Sequence, residues 1–288
     1  MISLSPISDL VLDGTTHVEN ADELGFVVSA GNRFLTYVST LEYAEMANKN
    51  KWVTSVLWDE SLGNPGNQYG YQIIRVSQAP YAFTRLHNSQ ASGAHEEPSV
   101  IDPTAVIHST AWVSPVGVKI EPNVVIEANV SIFPNTQVGA RAVIRSGAQI
   151  GTVALDIKET PTGDLITSEH LGRTVIMNDV EIGNNSVVDR AIFRYEETYI
   201  GEFTKIGSLV NISHGVRLGT RNKVAAGVQI CGYTNLGDRN WVGPGVIVSH
   251  MLNVGSDCYL SLGSNVLQDI EDGWKVVGNK IFKDRKLF

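Results

Sequence analysis

Two histidines and a glycine are spaced so that a regular repeat would bring them together. His214 and His250 lie 36 residues apart, and Gly232 lies midway between them. Histidine, with an ordinary pKa of about 6.5, takes up a proton readily near neutral pH. A glycine N–H can stabilise a developing oxyanion, and the missing side chain lets a thioester approach closely. The three residues therefore favour acyl transfer, with His214 as general base, Gly232 as oxyanion donor and His250 orienting or binding substrate.

Three further polar positions lie near this set in the sequence. His170 stands in a stretch without any repeat and is a candidate substrate-binding residue. Glu196 precedes His214 by 18 residues and could orient its imidazole, whereas Asp189 and Arg190 are expected to form an ion pair at a corner. Spacing alone leaves open that the histidines are unrelated surface residues.

Branched aliphatic residues recur every six positions and predict the element that positions these residues. From Ile176 to Val266 the slot holds an aliphatic residue at every position except Arg194. An earlier tract begins at Ile101, slips by one residue near Gly117 and resumes. A period of six is typical of a hexapeptide β-helix, whereas an α-helix needs a period of 3.6. Three hexads form one coil, so residues 18 apart stack in a column that holds His214, Gly232 and His250.

The predicted fold class is mainly β, a parallel β-helix with a small N-terminal α/β domain. We expect an α/β nucleotide-binding domain with its linker over residues 1–97, about eight coils over 98–270 with a projecting loop at 151–175, and a short tail over 271–288. Glycines that follow the inward residue are expected to supply positive φ at the corners. Long flat faces favour a homotrimer with sites between subunits.

Composition narrows the classes of partner. The 288 residues carry a net charge of −8, which argues against nucleic acid and anionic membranes and favours small molecules or proteins. Two cysteines, Cys231 and Cys258, cannot form a disulfide framework. Because no targeting segment or 18-residue apolar run occurs, we expect a cytoplasmic protein without a membrane span.

The repeat resembles the UDP-3-O-acylglucosamine N-acyltransferases of lipid A assembly in three stretches. These are DVEIGNNSVVDRAIF, LVNISHGVRLGTRNKVAAGVQICG and GVIVSHMLNVG. The N-terminal stretches ENADELGFVVSAGNRFLTYVSTLEY and QAPYAFTRL resemble the same family, so that the resemblance covers residues 18–266.

The resemblance implies a left-handed coil and a role for each matching residue. His214 matches the catalytic base, Gly232 the oxyanion donor and His250 an assisting histidine. Tyr37 and Tyr43 match two aromatics that clamp uracil, and stacking on aromatic faces suits a planar base. It also implies a nucleotide-linked amino sugar as acceptor and an acyl thioester, on coenzyme A or acyl carrier protein, as co-substrate, with no bound cofactor or metal.

Departures from the family pattern indicate a different substrate. The family's glycine-aromatic loop is replaced by GTVALDIKETPTGD, Gly207 replaces an acidic residue, and a methionine that limits the acyl channel is replaced near 263–265. Helices that engage acyl carrier protein do not follow the repeat. We therefore expect a relative that acylates a nucleotide-linked deoxyamino sugar for surface glycan, O-antigen or lipopolysaccharide synthesis, with a short or polar acyl-CoA as donor.

Other interpretations stay open at this stage. The chain could be the lipid A enzyme itself, and Lys280, Lys283, Arg285 and Lys286 form a basic tail that could meet an acidic carrier protein. A zinc enzyme like the carbonic anhydrases built on the same helix would use three histidines shared between subunits. A scaffold without catalytic activity would leave the histidine column without a purpose.

Overall fold

The computed structural model describes residues 1–91 and 97–283, which fall into two compact units. The N-terminal unit comprises residues 1–91 together with 155–169, and the C-terminal unit comprises 97–154 and 170–283. The chain thus leaves the second unit and returns to the first one for a single short segment.

The N-terminal unit is an α/β domain around a four-stranded parallel sheet. Its strands, in sheet order, are Glu23–Leu24, Phe34–Val38, Val53–Asp59 and Gln72–Val76. Helix α1 spans Leu41–Lys49 and begins where the hydroxyl of Thr40 accepts a hydrogen bond from the Tyr43 N–H, as expected of an N-cap. Helix α2 spans Ala79–Asn88. Residues 1–91 also form a two-stranded antiparallel ribbon, Ile2–Ser3 with His17–Val18, and two short 3₁₀-helices, Ser5–Ile7 and Glu60–Leu62.

A β-hairpin of the same unit occupies the middle of the segment that we predicted as a projecting loop. Strands Ile157–Glu159 and Leu165–Thr167 pair antiparallel across the turn near Pro161. The prediction of one loop over 151–175 was wrong, because the third-face strand runs to Thr152 and the first-face strand begins at Arg173. Three-residue strands that interrupt a hexad pattern are too short to give a periodic signal of their own.

The C-terminal unit is a parallel β-helix with three flat faces. The first face has eight strands: Val100–Ile101, Val118–Ile120, Thr136–Val138, Arg173–Ile176, Glu197–Ile200, Arg217–Leu218, Asn235–Leu236 and Asn253–Val254. The second face has ten: Val106–Ile107, Val125–Ile126, Val143–Ile144, Glu181–Ile182, Lys205–Ile206, Lys223–Val224, Trp241–Val242, Tyr259–Leu260, Lys275–Val277 and Lys280–Phe282. The third face has eight: Trp112–Val113, Ser131–Ile132, Gln149–Thr152, Val187–Asp189, Asn211–Ile212, Gln229–Ile230, Ile247–Val248 and Asn265–Val266.

The six-residue slot points into this helix, as predicted. Ile212, Leu218 and Val188 are fully buried and belong to one continuous apolar core that runs along the helix. Most coils repeat the step from Ile212 to its strand partner Ile230, which is three hexads. Ile120 pairs with Ile101, which makes that coil longer than the regular one, so the predicted slip is confirmed.

The glycines after the inward residues have a different purpose from the one predicted. Positive φ falls three residues after the inward residue instead, as at Asn185, Phe203 and Gly215. A Cβ at Gly183 would collide with the backbone of Gly207 in the next coil. These glycines are therefore needed because successive coils approach too closely for any side chain.

The predicted tail also contains regular structure. Lys275–Val277 continues the second face in parallel, and Lys280–Phe282 folds back on it antiparallel. The sequence pattern missed this coil because Val276 pairs with Leu260, a step shorter than three hexads, which breaks the period. Arg285 and Lys286 of the predicted basic patch lie outside the described residues.

Candidate active site

Both interruptions of the repeat leave the helix at one corner, between the third and first faces. Val187 pairs with Gln149 before it and with Asn211 after it, and both steps are longer than the regular one from Ile212 to Ile230. The larger insertion separates Thr152 from Arg173, and the smaller one separates Asp189 from Glu197. His214, which follows the strand Asn211–Ile212, occupies the same corner.

His214 and Gly232 stand in successive coils and lie against each other. The neighbouring strand pair joins Ile212 to Ile230, two residues before each of them. A Cβ built on Gly232 would lie 2.5 Å from His214 Nε2, and the half-buried imidazole thus fills the space a side chain would need. The predicted column of His214 and Gly232 therefore brings an imidazole nitrogen against a glycine backbone.

The N–H of Gly232 is available for a ligand. Among the described residues it donates no hydrogen bond. Thr220 follows an inward residue by two positions, as Gly232 does, but at another corner. Its N–H donates a 2.7 Å hydrogen bond to the carboxylate of Asp238 in the next coil. The residue one coil after Gly232 is His250, and among the described residues the Gly232 N–H donates no hydrogen bond to it.

His170 lies beside His214, although only the weak signal of an isolated loop histidine pointed to it. Its side chain is 3% exposed, and the two rings meet edge to face with centroids 5.6 Å apart. The first insertion supplies this residue at the point where the chain re-enters the β-helix.

Tyr233 and Glu196 form a second group at this corner. The Tyr233 ring lies edge-on to His214, with centroids 5.4 Å apart. Its hydroxyl donates a 2.8 Å hydrogen bond to the carboxylate of Glu196, and the hydroxyl of Tyr195 donates to the other oxygen at 3.3 Å. The spacing of 18 residues from His214 pointed to Glu196, whereas Tyr233 was not predicted, and its one available signal was its place directly after Gly232.

His250 occupies the expected column but is more remote. It is exposed, and its Nδ1 lies 3.5 Å from the hydroxyl of Ser249. Within residues 97–283 no described contact joins it to His214. It therefore lies on the open side of the corner, beyond Gly232.

Tyr37 and Tyr43 belong to the N-terminal unit and stand on neighbouring elements. Tyr37 lies near the end of the strand Phe34–Val38 and packs against Phe83, with ring centroids 5.2 Å apart. Burial raises the pKa of the Tyr37 hydroxyl, and Asp156 and Tyr43 add to this shift. Tyr43 lies in the first turn of α1 and is half-buried. Asp156 reaches this group from the inserted hairpin and bonds Lys158 at 2.6 Å.

The polar prediction for Asp189 and Arg190 at this corner turned out differently. The carboxyl of Asp189 accepts a 2.6 Å hydrogen bond from the Thr152 hydroxyl. The expected ion pair was wrong, because in the part of the chain that the structure describes no salt bridge joins Asp189 to Arg190. Burial raises the pKa of Asp189.

Gly207, which replaces an acidic residue of the family pattern, has no room for a side chain, because a Cβ would lie 2.8 Å from the N atom of Ala226.

No group of three or more His, Cys, Asp or Glu side chains in residues 1–91 and 97–283 has the arrangement of a metal site. In the same residues no helix is long and apolar enough to cross a membrane.

The sequence of the chain is similar to curated acyltransferases of UDP-sugars. It is 33% identical over 242 residues to the UDP-3-O-acylglucosamine N-acyltransferase of Coxiella burnetii. The aligned stretch covers 72% of this chain and 66% of that protein. A 94-residue stretch is 43% identical to the enzyme of the same name from Wolinella succinogenes. The chain is a hexapeptide-repeat relative of the UDP-sugar acyltransferases. It matches just under two thirds of the length of the Coxiella relative.

Solved structures of acyltransferases share the fold of this chain. A UDP-N-acetylglucosamine acyltransferase from Campylobacter jejuni superposes with a TM-score of 0.52 and 25% identity over 63% of this chain and 73% of that one. A second structure titled UDP-N-acetylglucosamine acyltransferase has a TM-score of 0.52 at 22% identity, over 64% of this chain and 70% of that one. The predicted fold class, mainly β with a left-handed parallel β-helix, is thereby confirmed. No family profile matches the chain.

Proposed function

We propose that this protein transfers an acyl group from a thioester to the amine of a nucleotide-linked amino sugar. The observation that carries the proposal is the position of His214 Nε2, 2.5 Å from where a Cβ of Gly232 would lie, beside a Gly232 N–H that donates no hydrogen bond among the described residues. A base and an oxyanion donor are thus side by side at an open corner. Acyltransferases of UDP-sugars are the named homologues of the chain.

The reaction needs one proton acceptor and one oxyanion donor. The amine nitrogen attacks the thioester carbonyl, a C–N bond forms, and the carbonyl oxygen gains negative charge that the Gly232 N–H stabilises. His214 Nε2 takes the proton that the amine loses. When the tetrahedral intermediate collapses, the C–S bond breaks and the thiolate leaves with the electron pair. The imidazolium then returns the proton to sulfur, so that amide and thiol are released without a covalent acyl-enzyme.

The two histidines around this pair have supporting roles in the proposal. His170 is buried against the His214 ring and binds the acceptor on that side. His250 is exposed beyond Gly232 and assists in binding or orienting the substrate.

The N-terminal unit supplies the nucleotide-binding aromatics in this proposal. Tyr37 and Tyr43 lie near a strand end and on the first turn of the helix that follows it, and their faces suit a planar base. The replaced loop of residues 151–164 favours a sugar other than that of the lipid A enzyme, with coenzyme A preferred over carrier protein as acyl carrier. A homotrimer in the cytoplasm belongs to the same proposal.

The proposal is tested by a substrate screen with matched histidine variants. Nucleotide-linked 3- and 4-amino-deoxyhexoses are incubated with acetyl-, hydroxybutyryl- and longer acyl-CoAs, and N-acylated product is detected by mass spectrometry. With the accepted pair, His214→Ala is expected to lower kcat by about 10²- to 10⁴-fold. His108→Ala, at an exposed histidine on another part of the helix, serves as control. Near-normal turnover by His214→Ala overturns the proposal, as does activity that requires stoichiometric zinc.

A further inference from the structure

Tyr233 occupies a backbone conformation that favours glycine, and its ring fills space left by a glycine. Its φ is +60°, whereas the same corner slot one coil earlier holds Gly215 with φ +68°. A Cβ on Gly215 would lie 2.9 Å from Cε1 of Tyr233. A non-glycine residue in the left-handed region costs about 1–2 kcal/mol. The ring therefore lies over Gly215, beside His214, at a corner position where the regular repeat places positive φ.

Both ends of Tyr233 are fixed relative to the imidazole. Its N–H donates a 3.0 Å hydrogen bond to the carbonyl of His214, and its hydroxyl donates to Glu196 at 2.8 Å. Glu196 comes from the smaller insertion, and Tyr195 donates to its second oxygen. The phenol thus links the inserted carboxylate to the residue that carries the imidazole, and its ring forms one wall of the imidazole's site.

The charges around the imidazole all lie at this corner. His170 and Tyr233 face the ring directly, and Glu196 lies behind Tyr233. Val188 and Ile212 are strand partners in successive coils, and Arg190 and His214 each follow their strand residue by two positions. Arg190 therefore occupies the slot of His214 one coil earlier. Glu196 accepts the hydrogen bond of the Tyr233 hydroxyl, and its negative charge favours the imidazolium that forms when the base takes a proton.

We propose that Tyr233 and Glu196 are positioning residues of the base, with the phenol fixing the His214 ring against Gly232 and the carboxylate raising the proton affinity of that ring. This inference rests on the proposed function, in which His214 accepts the proton of the amine. It gives the smaller insertion a purpose, because the insertion places a carboxylate at the corner where the regular repeat would continue without one.

Two conservative variants separate the geometric role from the electrostatic one. Tyr233→Phe keeps the ring and removes the bond to Glu196, and kcat is expected to fall about tenfold with little change in KM. Glu196→Gln keeps a hydrogen-bond acceptor and removes the charge, so the acid limb of kcat/KM is expected to move to lower pH by about half a unit. Tyr199→Phe, on the first face beneath Arg217, is the matched control and should leave both values unchanged.

An NMR titration makes the outcome independent of turnover. The Cε1–Hε1 signal of His214, assigned by its loss in His214→Gln, should titrate at lower pH in Glu196→Gln than in the wild-type protein. If His214→Ala is inactive but neither the titration midpoint nor the pH limb moves and Tyr233→Phe is fully active, this inference is wrong and the proposed function stands. If His214→Ala retains activity, the proposed function fails whatever the titration shows. Should Glu196→Gln not fold, Tyr233→Phe decides the inference through kcat.

Discussion

Gly232 and His214 are packed so closely that no side chain fits between them. A Cβ on Gly232 would lie 2.5 Å from Nε2 and 3.0 Å from both Cδ2 and Cε1 of the imidazole. Carbon and nitrogen atoms that are not bonded do not approach to such distances, so any larger residue at 232 must displace the ring.

The first prediction follows from this packing. Gly232→Ala keeps the backbone N–H but pushes the imidazole from its position, and kcat is expected to fall about 100-fold because a misplacement near 1 Å has an effect of that size. Product formation with the accepted substrate pair measures it. Gly70→Ala is the control, since a Cβ there meets only Asn48, at 3.8 Å. Equal loss in both variants would show that the packing at 232 is not the cause.

The second prediction concerns the inward slot of the repeat. Ile212 is fully buried in the core of the β-helix, whereas Ile247 is 44% exposed on the same face. Ile212→Ala should lower the free energy of unfolding by about 2–5 kcal/mol, because it leaves a cavity. Ile247→Ala should change it by less than about 0.5 kcal/mol. Urea denaturation of both variants compares the same substitution on opposite sides of one strand layer.

The regular part of the fold could be predicted because its physical cause is local and repeated. Each hexad needs an aliphatic residue pointing inward, so a period of six reveals the helix, and three hexads per coil place His214, Gly232 and His250 in one column. The corner conformations could not be assigned this way. Asn185 and Phe203 adopt positive φ without a common residue type, and Gly183 is required by a neighbouring coil that the local sequence does not show.

The site could be predicted only where it follows the repeat. Tyr233 meets His214 through stacking of successive coils, and Glu196 meets Tyr233 through an insertion that abandons the period. Arg194 marked that insertion as a failed hexad, but a failed hexad does not reveal how many residues are extra. Contacts of this kind depend on the lengths of the two irregular coils. Those lengths follow from the pairing of Val187 with Gln149 and Asn211, and the sequence alone does not reveal this pairing.

The third prediction is a pH dependence of stability that arises at Asp189. Burial raises the pKa of this carboxyl in the folded protein. The native state therefore binds the proton more tightly than the unfolded chain, and the contribution of Asp189 is full at low pH and lost as the pH rises through the folded pKa. Asp189→Asn keeps an acceptor for Thr152 and removes the charge, so it should stabilise the protein at pH 7, with the difference vanishing near about pH 4.

A second carboxyl provides a test of sign for that experiment. The pKa of Asp102 is lowered because the hydroxyl and the N–H of Thr104 donate to it. Its contribution is therefore present above the unfolded pKa and is lost as the pH falls through the folded one. Asp102→Asn should destabilise at pH 7, the opposite direction from Asp189→Asn, in the same denaturation series.

The fourth prediction concerns the inserted hairpin of the N-terminal unit. Lys158 and Asp156 form an ion pair whose side chains are only 17% and 16% exposed. Lys158→Met removes the cation of this largely buried pair, which should cost about 3 kcal/mol. Hydrogen exchange should quicken across the hairpin, including the Glu169 N–H that bonds Asn88. Arg33→Met breaks an exposed pair in the same unit and should leave hairpin exchange as it was.

The fifth prediction tests the aromatic site for the nucleotide at Tyr43. Replacing Tyr37 by alanine would remove its contacts with Phe26 and Phe83, so loss of binding there would be confounded by loss of packing. Tyr43 is half-buried at the start of α1 and is the cleaner position. Stacking of one base is worth about 1–3 kcal/mol, and Tyr43→Ala should therefore weaken UDP binding by about 5- to 150-fold, while Tyr43→Phe retains it.

Met46 provides the control for this last experiment, because it lies one turn further along α1 and packs against the same apolar cluster as Tyr43. Met46→Ala disturbs the cluster without removing a ring, so the Kd of this variant for UDP should stay near that of the wild-type protein. Isothermal titration with UDP and dTDP compares the three variants. If Met46→Ala and Tyr43→Ala weaken binding equally, the helix and not the ring carries the effect. If neither does, the nucleotide binds elsewhere, because a base that stacks on Tyr43 cannot lose that face without loss of affinity.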